Sequence, residues 1–226
     1  MSEIYQVNNF IVHRIKTGQF RENCYLVECL ISRKLIVIDP GSNPELLLSY
    51  IDSLNLTVDR ILLTHGHYDH VGAVDELRDR YRIEAYAHVN EKKLIRQAGI
   101  YAYRFSKEKL RPPSGITFFG DDGQIGGGLI RILYTPGHTS GSVCYELSSK
   151  LLFTGDTLFN SYVGPSSYPT SNSVNLKQSI GTVLNLCDPD CVIFPGHGSS
   201  WSVKQARVWW REVSNDPPEF HLFGGG

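Results

Sequence analysis

The sequence predicts an α/β fold in which two sheets are faced by helices, and two observations carry that expectation. Ten strand-like apolar runs and five helical runs share the 226 residues, with some strands adjacent and others separated by a helix. Four of the strand-like runs lead directly into short motifs that combine glycine with histidine or aspartate. The runs at 10–15, 24–28 and 35–38 follow one another without helical periodicity between them. A helix over 44–54 starts at Pro44, where the fixed φ of proline suits the first turn. Strand 60–63, helix 71–81, strand 83–87 and helix 90–105 come next, then strands at 116–119, 129–133, 143–147 and 151–153. Helix 175–186, strand 192–194 and helix 202–213 complete the series. The glycine-rich stretch 120–128 precedes a strand rather than a helix, which makes it a hairpin turn and not a phosphate cradle.

The motif Thr64-His65-Gly66-His67-Tyr68-Asp69-His70 sits at the end of the 60–63 strand. So dense a set of nitrogen and oxygen donors is a metal-site pattern, because imidazole and carboxylate are the usual ligands of divalent transition metals. In extended chain His65 and His67 share a side, so two imidazoles can reach one ion. Asp69 and His70 fall at the start of the following helix, where a turn can aim them at a second ion. A polar loop with Asp69 as helix cap would explain one residue of the four.

Further donors follow later strands in Thr135-Pro136-Gly137-His138, Thr154-Gly155-Asp156 and Pro195-Gly196-His197-Gly198. Five of the eight histidines fall in these motifs. The order HxHxDH, GHT, GDT and GHG resembles the metallo-β-lactamase superfamily, and within it the glyoxalase II-like hydrolases. The resemblance extends from Asn23-Cys24-Tyr25-Leu26 through Ile38-Asp39-Pro40-Gly41 to Gly198. It implies a single domain over 1–226 with the four-layer αβ/βα sandwich of that superfamily and the ligands gathered at one edge between the sheets. It also implies that His65, His67 and His138 bind one metal, Asp69, His70 and His197 the other, and Asp156 both. Zinc is the expected ion, with iron or manganese as alternatives. Related β-lactamases usually carry cysteine at the bridging position, so aspartate there favours the glyoxalase II branch. Asp39, at the end of a strand, reads as a support for the metal loop.

Two ions about 3.5–4 Å apart activate a shared water near neutral pH and polarise the carbonyl under attack. The implied reaction is therefore hydrolysis by a metal-bridging hydroxide, with Asp69 both as ligand and as the catalytic residue that orients it. A thiolate leaves without protonation, its pKa being near 8.5, whereas an amine needs an acid that the sequence does not supply. A thioester is thus the expected substrate, carried on glutathione, coenzyme A or an acyl carrier protein. The alternative is a mononuclear iron persulfide dioxygenase using His65, His138 and Asp156. Lactone or phosphodiester hydrolysis within the same superfamily stands third.

Composition agrees with a cytoplasmic enzyme. Hydrophobic residues make up 41% of the chain, the start of the sequence lacks a signal-peptide pattern, and no run is long enough to span a membrane. A formal net charge of -1 does not favour nucleic acid. Cys24, Cys29, Cys144, Cys187 and Cys191 read as reduced structural thiols. His13, His88 and His221 read as structural or surface residues, and Gly224-Gly225-Gly226 as a tail outside the fold.

Substrate recognition departs from the longer glyoxalase II enzymes, whose C-terminal basic region exceeds the 29 residues found after His197. The loop 160–173 has no charged side chain, and Gly164-Pro165 stands where short relatives often show Gly-Arg. Tyr162 and Tyr168 are its candidate walls. Positive charge instead lies in 96–111, where Arg96, Arg104, Lys107, Lys109 and Arg111 face only Glu108 and alternate with Tyr101, Tyr103 and Phe105. Arg104 and Lys107 are the candidates for meeting a phosphate-bearing thioester, against the plainer reading of a solvated helix face.

Overall fold

The computed structural model describes residues 2–220; Met1 and residues 221–226, which include His221 and the glycine tail, lie outside the described residues. The chain divides into two compact units, Met1–Phe119 and Gly120–Gly226.

The first unit is built on a seven-stranded sheet whose strands lie in chain order. Strands β1 (Glu3–Val7), β2 (Phe10–Thr17), β3 (Glu22–Cys29) and β4 (Lys34–Ile38) are antiparallel neighbours. Helix α1 (Pro44–Leu54) then crosses over to β5 (Thr57–Leu62), which pairs with β4 in parallel. Helices α2 (Tyr68–Val71) and α3 (Val74–Tyr81) lead to β6 (Glu84–His88), and α4 (Lys92–Arg96) and α5 (Ala98–Ser106) to β7 (Ile116–Phe119), both strands added in parallel. Alternate residues Leu35, Val37, Ile61 and Leu63 share a buried core with Leu47 and Ile51 of α1 and Val74 and Leu77 of α3. The i, i+4 spacing in α1 gives one apolar stripe, and each such side chain contributes about 1.5–3 kcal/mol when fully buried.

This topology selects one sheet edge for chemistry. Because β4, β5 and β6 are parallel, their C-terminal ends align, the place where open α/β sheets hold ligands. Asp39 and Thr64-His65 follow the ends of β4 and β5, and His88 is the last residue of β6. Antiparallel pairing of Tyr25 with Ile38 brings the beginning of β3, Glu22 and Asn23, to the same edge.

The second unit carries β8 (Gly123–Ile125), β9 (Ile130–Tyr134), β10 (Val143–Leu147) and β11 (Leu151–Gly155), then a small hairpin of β12 (Leu158–Phe159) and β13 (Tyr162–Val163). Helix α6 (Ser173–Leu186), β14 (Val192–Pro195), β15 (Trp201–Ser202) and α7 (Val203–Val213) follow. The six-stranded sheet has the order β15-β14-β11-β10-β9-β8. In α6, Leu176, Ile180, Val183 and Leu184 pack with Leu152, Ile193 and Ala206. Helix α7 starts from a capping box, Ser202 and Gln205 each satisfying the other's backbone. Strands β9, β11 and β14 run in the same direction, so the turns bearing His138, Asp156 and His197 leave one edge.

Three expectations are corrected. The helix read over 71–81 is two helices, because the Ala73 amide bonds the Pro40 carbonyl at 3.0 Å instead of continuing the helical ladder. The helix read over 90–105 breaks at Gln97, where the Gln97 amide bonds Leu94 and that of Ile100 bonds Gln97, both tighter three-residue steps. The stretch 120–128 is not all turn: Gly123–Ile125 forms β8 against β9, and only the residues after it turn.

Candidate metal centre

In the first unit the donors arise where β5 ends. His65 Nε2 lies 3.0 Å from His67 Nδ1, with the two rings edge to face. The His65 and His70 ring centroids are 4.2 Å apart. Asp69 and His70 sit on the single turn of α2, with 3.9 Å between Asp69 Oδ2 and His70 Nε2. His65, Asp69 and His70 are buried and His67 is half-buried.

Asp39 fixes this loop with three bonds. It accepts from the Thr64 amide at 2.7 Å, from Thr64 Oγ1 at 2.6 Å and from His70 Nδ1 at 3.0 Å. A carboxylate cannot donate, so Nδ1 of His70 carries the proton and Nε2 keeps its lone pair for a cation. Ligand atoms of Asp39, His65 and His70 lie within 4.8 Å of one another. The φ of Asp39 is 49°, a left-handed conformation that aspartate tolerates better than most residues and that persists when surrounding bonds hold it.

Two further carboxylates, neither singled out in the sequence, support the loop. Glu91, 1% exposed, accepts from the Gly66 amide at 2.6 Å, between the two histidines. Glu22 accepts from Thr17 Oγ1 and from the Ser42 amide. Its pKa is pushed up to about 7 by burial and then by the neighbouring Asp69 charge. A side chain at Gly41 would collide with the Glu22 carboxyl group and the Asp69 carbonyl, so only glycine fits there. Glu91 lies in a helical-looking stretch, where a lone glutamate gives no sign of inward burial. Glu22 begins a strand, where it reads as a solvent-facing residue.

Tyr68 joins the loop to the basic segment. Its hydroxyl lies 2.8 Å from Ser106 Oγ, its ring stacks parallel to Phe105, and Phe105 stacks on Tyr101. Arg104 and Lys107 point to solvent and lie over the rings of Phe105 and Tyr103. Arg104 thereby adjoins the aromatic stack at Phe105, whereas Tyr103, beneath Lys107, is not one of the three stacked rings.

In the second unit Asp156 Oδ2 lies 3.6 Å from His138 Nε2 and 3.7 Å from His197 Nε2. Those separations exceed a hydrogen bond and approach the ~3.4 Å between donors of a tetrahedral ion with ~2.1 Å bonds. Each Asp156–histidine pair is therefore spaced as two ligands of one cation would be, and all three side chains are buried. His138 Nδ1 donates to the Pro165 carbonyl at 2.9 Å, again directing Nε2 inward. That bond needs Gly164, since a side chain there would strike the Asp156 carbonyl. Tyr168 meets the His138 ring edge-on. Tyr162 packs on Phe220, which stacks over the His197 ring.

Of the remaining expectations, His13 is buried and bonded to the Tyr50 hydroxyl, and His88 accepts from the Asn90 amide. All five cysteines are free thiols, and burial pushes those of Cys144 and Cys191 up to about 12. Among the described residues no helix is long and apolar enough to cross a membrane.

The chain is 33% identical over 198 residues to the hydroxyacylglutathione hydrolase GloC of Haemophilus influenzae, covering 85% of this chain and 93% of that protein. It is 33% identical to PksB of Bacillus subtilis, described as a probable polyketide biosynthesis zinc-dependent hydrolase, over 82% of this chain and 78% of the relative. The fold matches the crystal structure of TTHA1623 in a di-iron-bound form with a TM-score of 0.77 at 30% identity, covering 86% and 96% of the two chains. The metallo-beta-lactamase superfamily profile matches residues 17–197, a span that runs across both units and takes in each His and Asp donor described above, and the chain belongs to that superfamily.

Proposed function

We propose that the chain is a thioester hydrolase in which His65, His67 and His138 hold one divalent ion, Asp69, His70 and His197 a second, and Asp156 both, zinc being the ion of choice. The observation that supports this reading most is the near-equal approach of one Asp156 oxygen to His138 and His197, the arrangement of a shared ligand. The ions, when bound, supply an activated water and polarise the thioester carbonyl. The protein's own part is positional. Asp39 and the Pro165 carbonyl fix the tautomers of His70 and His138, and Asp69, on its helical turn, orients the attacking water. A thiolate leaving group needs no protein acid, consistent with a donor set that contains none to spare. The GloC relative favours this substrate class, and the PksB relative, a probable zinc-dependent hydrolase, favours zinc as the ion.

The purified protein is expected to hydrolyse activated thioesters, to lose that activity on exhaustive chelation and to regain it with zinc. Undiminished hydrolysis after chelation, verified by elemental analysis, defeats the reading.

A further inference from the structure

Residues 217–220 form a strap against the β12–β13 hairpin, and it reaches both histidines of the second unit. The Val163 amide bonds the Pro218 carbonyl at 2.9 Å and the Phe220 amide bonds the Val163 carbonyl at 2.8 Å, so Glu219 bridges Val163 as a short parallel strand. Glu219 Oε1 also accepts from both the amide and the hydroxyl of Ser166. Ser166 directly follows Pro165, whose carbonyl holds His138. The next residue, Phe220, stacks over His197 with ring centroids 5.8 Å apart and packs on Phe159 at 4.9 Å and Tyr162 at 6.1 Å.

This gives the uncharged loop 160–173 a different meaning from a missing anion site. Phe220 is half-buried and Tyr162 is 44% exposed, so these two rings present apolar surface beside His197, with the buried Phe159 packed behind Phe220. The one charge the strap brings, Glu219, is already engaged by Ser166 and is of the wrong sign for a carboxylate. A surface of that kind cannot hold an anionic or polar acyl group, and it gains by covering with hydrocarbon at roughly 25 cal/mol per Å² of apolar area removed from water. Its pinning at three points keeps Phe220 in place without a ligand, which lowers the ordering cost of binding.

We infer that Phe220 and Tyr162, backed by the buried Phe159, form the specificity wall for the acyl half of the substrate and select apolar acyl chains over small or charged ones. This deepens the thioester reading and rests on it for the word acyl, but the wall itself can be tested through the carboxylate product. Acetate and octanoate titrated calorimetrically into the zinc-loaded protein are expected to separate, octanoate binding the more tightly. Phe220→Ala should weaken octanoate by ~10-fold or more, the scale of a few lost hydrophobic contacts. Acetate binding and zinc content should stay unchanged, and Phe220→Leu should recover most of the loss. Because Phe220→Ala removes a packed ring, Tyr162→Ser at an exposed position provides a second reading of the same effect. Equal affinity for the two carboxylates in the wild type overturns the inference, as does an equal loss of both in the variants. Parallel kcat/KM values for acetyl and octanoyl esters of one thiol separate the two ideas. Chain-length-selective binding without hydrolysis of either ester sinks the thioester reading and leaves the wall. Hydrolysis without chain-length preference does the reverse.

Discussion

Asp69, Asp39 and Glu91 are all buried carboxylates around one loop, yet their surroundings assign them different work. Asp69 is on the helical turn beside His70, where it is proposed to hold metal and orient water. Asp69→Ala is therefore expected to lower kcat by three orders of magnitude or more while shifting Tm by only a few degrees, measured by steady-state kinetics and thermal unfolding. Near wild-type turnover with both metals present would show the assignment to be wrong. Glu91 acts through the Gly66 amide. Glu91→Gln keeps an acceptor and should retain most zinc affinity. Glu91→Ala leaves a buried amide unpaired, about 1–3 kcal/mol, and should weaken zinc binding about 10- to 100-fold, as loss of a ligand's supporting partner does. Competition with a chromophoric chelator reads both; an equal effect of the two substitutions counts against a positioning role. The candidate donors were legible in the sequence because they follow strands, and His65, His67, His138, Asp156 and His197 each adjoin a glycine. Glu91 and Glu22 were not, because a carboxylate's burial is set by where the fold closes over it, and no local pattern records that.

At the scale of elements, α5 carries more than the charge that marks the segment 96–111. Arg104 and Lys107 read as meeting the substrate, and the structure adds an aromatic role beside the loop: Tyr68, Phe105 and Tyr101 form one stack, and Ser106 holds the Tyr68 hydroxyl. The break at Gln97 that sets the direction of α5 could not be read from periodicity, which runs through it, and the one nearby glycine, Gly99, lies inside α5 itself. Arg104 and Lys107 are left exposed on the outer side, free to meet a phosphate-bearing thiol. Reversing both charges is expected to raise KM for acyl-coenzyme A or acyl-carrier thioesters and to leave kcat for a small neutral thioester unchanged. The effect should fade with salt, since exposed charges are screened over about 10 Å at 0.1 M. If hydroxyacylglutathione proves the far better substrate and the reversals change nothing, the segment is a solvated surface. Tyr68→Phe discriminates further: losing the bond to Ser106 should raise KM for the carrier-bound substrates without altering zinc content.

For the whole molecule, the distribution of buried charge sets how it responds to its metal. Glu22, Asp39, Asp69 and Asp156 are all at most 6% exposed, and burying carboxylates is unfavourable unless cations or donors compensate. Asp39 has its three donors; Asp69 and Asp156 are ligands in the proposal above, which therefore predicts that loading with divalent ions stabilises the fold. The sequence placed the candidate donors after strands, and the resemblance implied their gathering at one edge; the strand order and the division of the chain into two compact units were not legible, because pairing partners and the place where one core ends leave no local pattern. Ligands that bind only the folded state stabilise it by about 2.7 kcal/mol at 100 times Kd. Chelation should accordingly lower Tm, and zinc should restore it in two steps if the sites differ in affinity, with saturation at two ions per chain. Elemental analysis of protein purified without added metal completes the test. Two zinc, or a mixture of zinc, iron and manganese totalling two, supports the hydrolase. One iron per chain with oxygen uptake on a persulfide instead assigns His65, His138 and Asp156 to a mononuclear centre, and a Tm indifferent to chelation removes both readings.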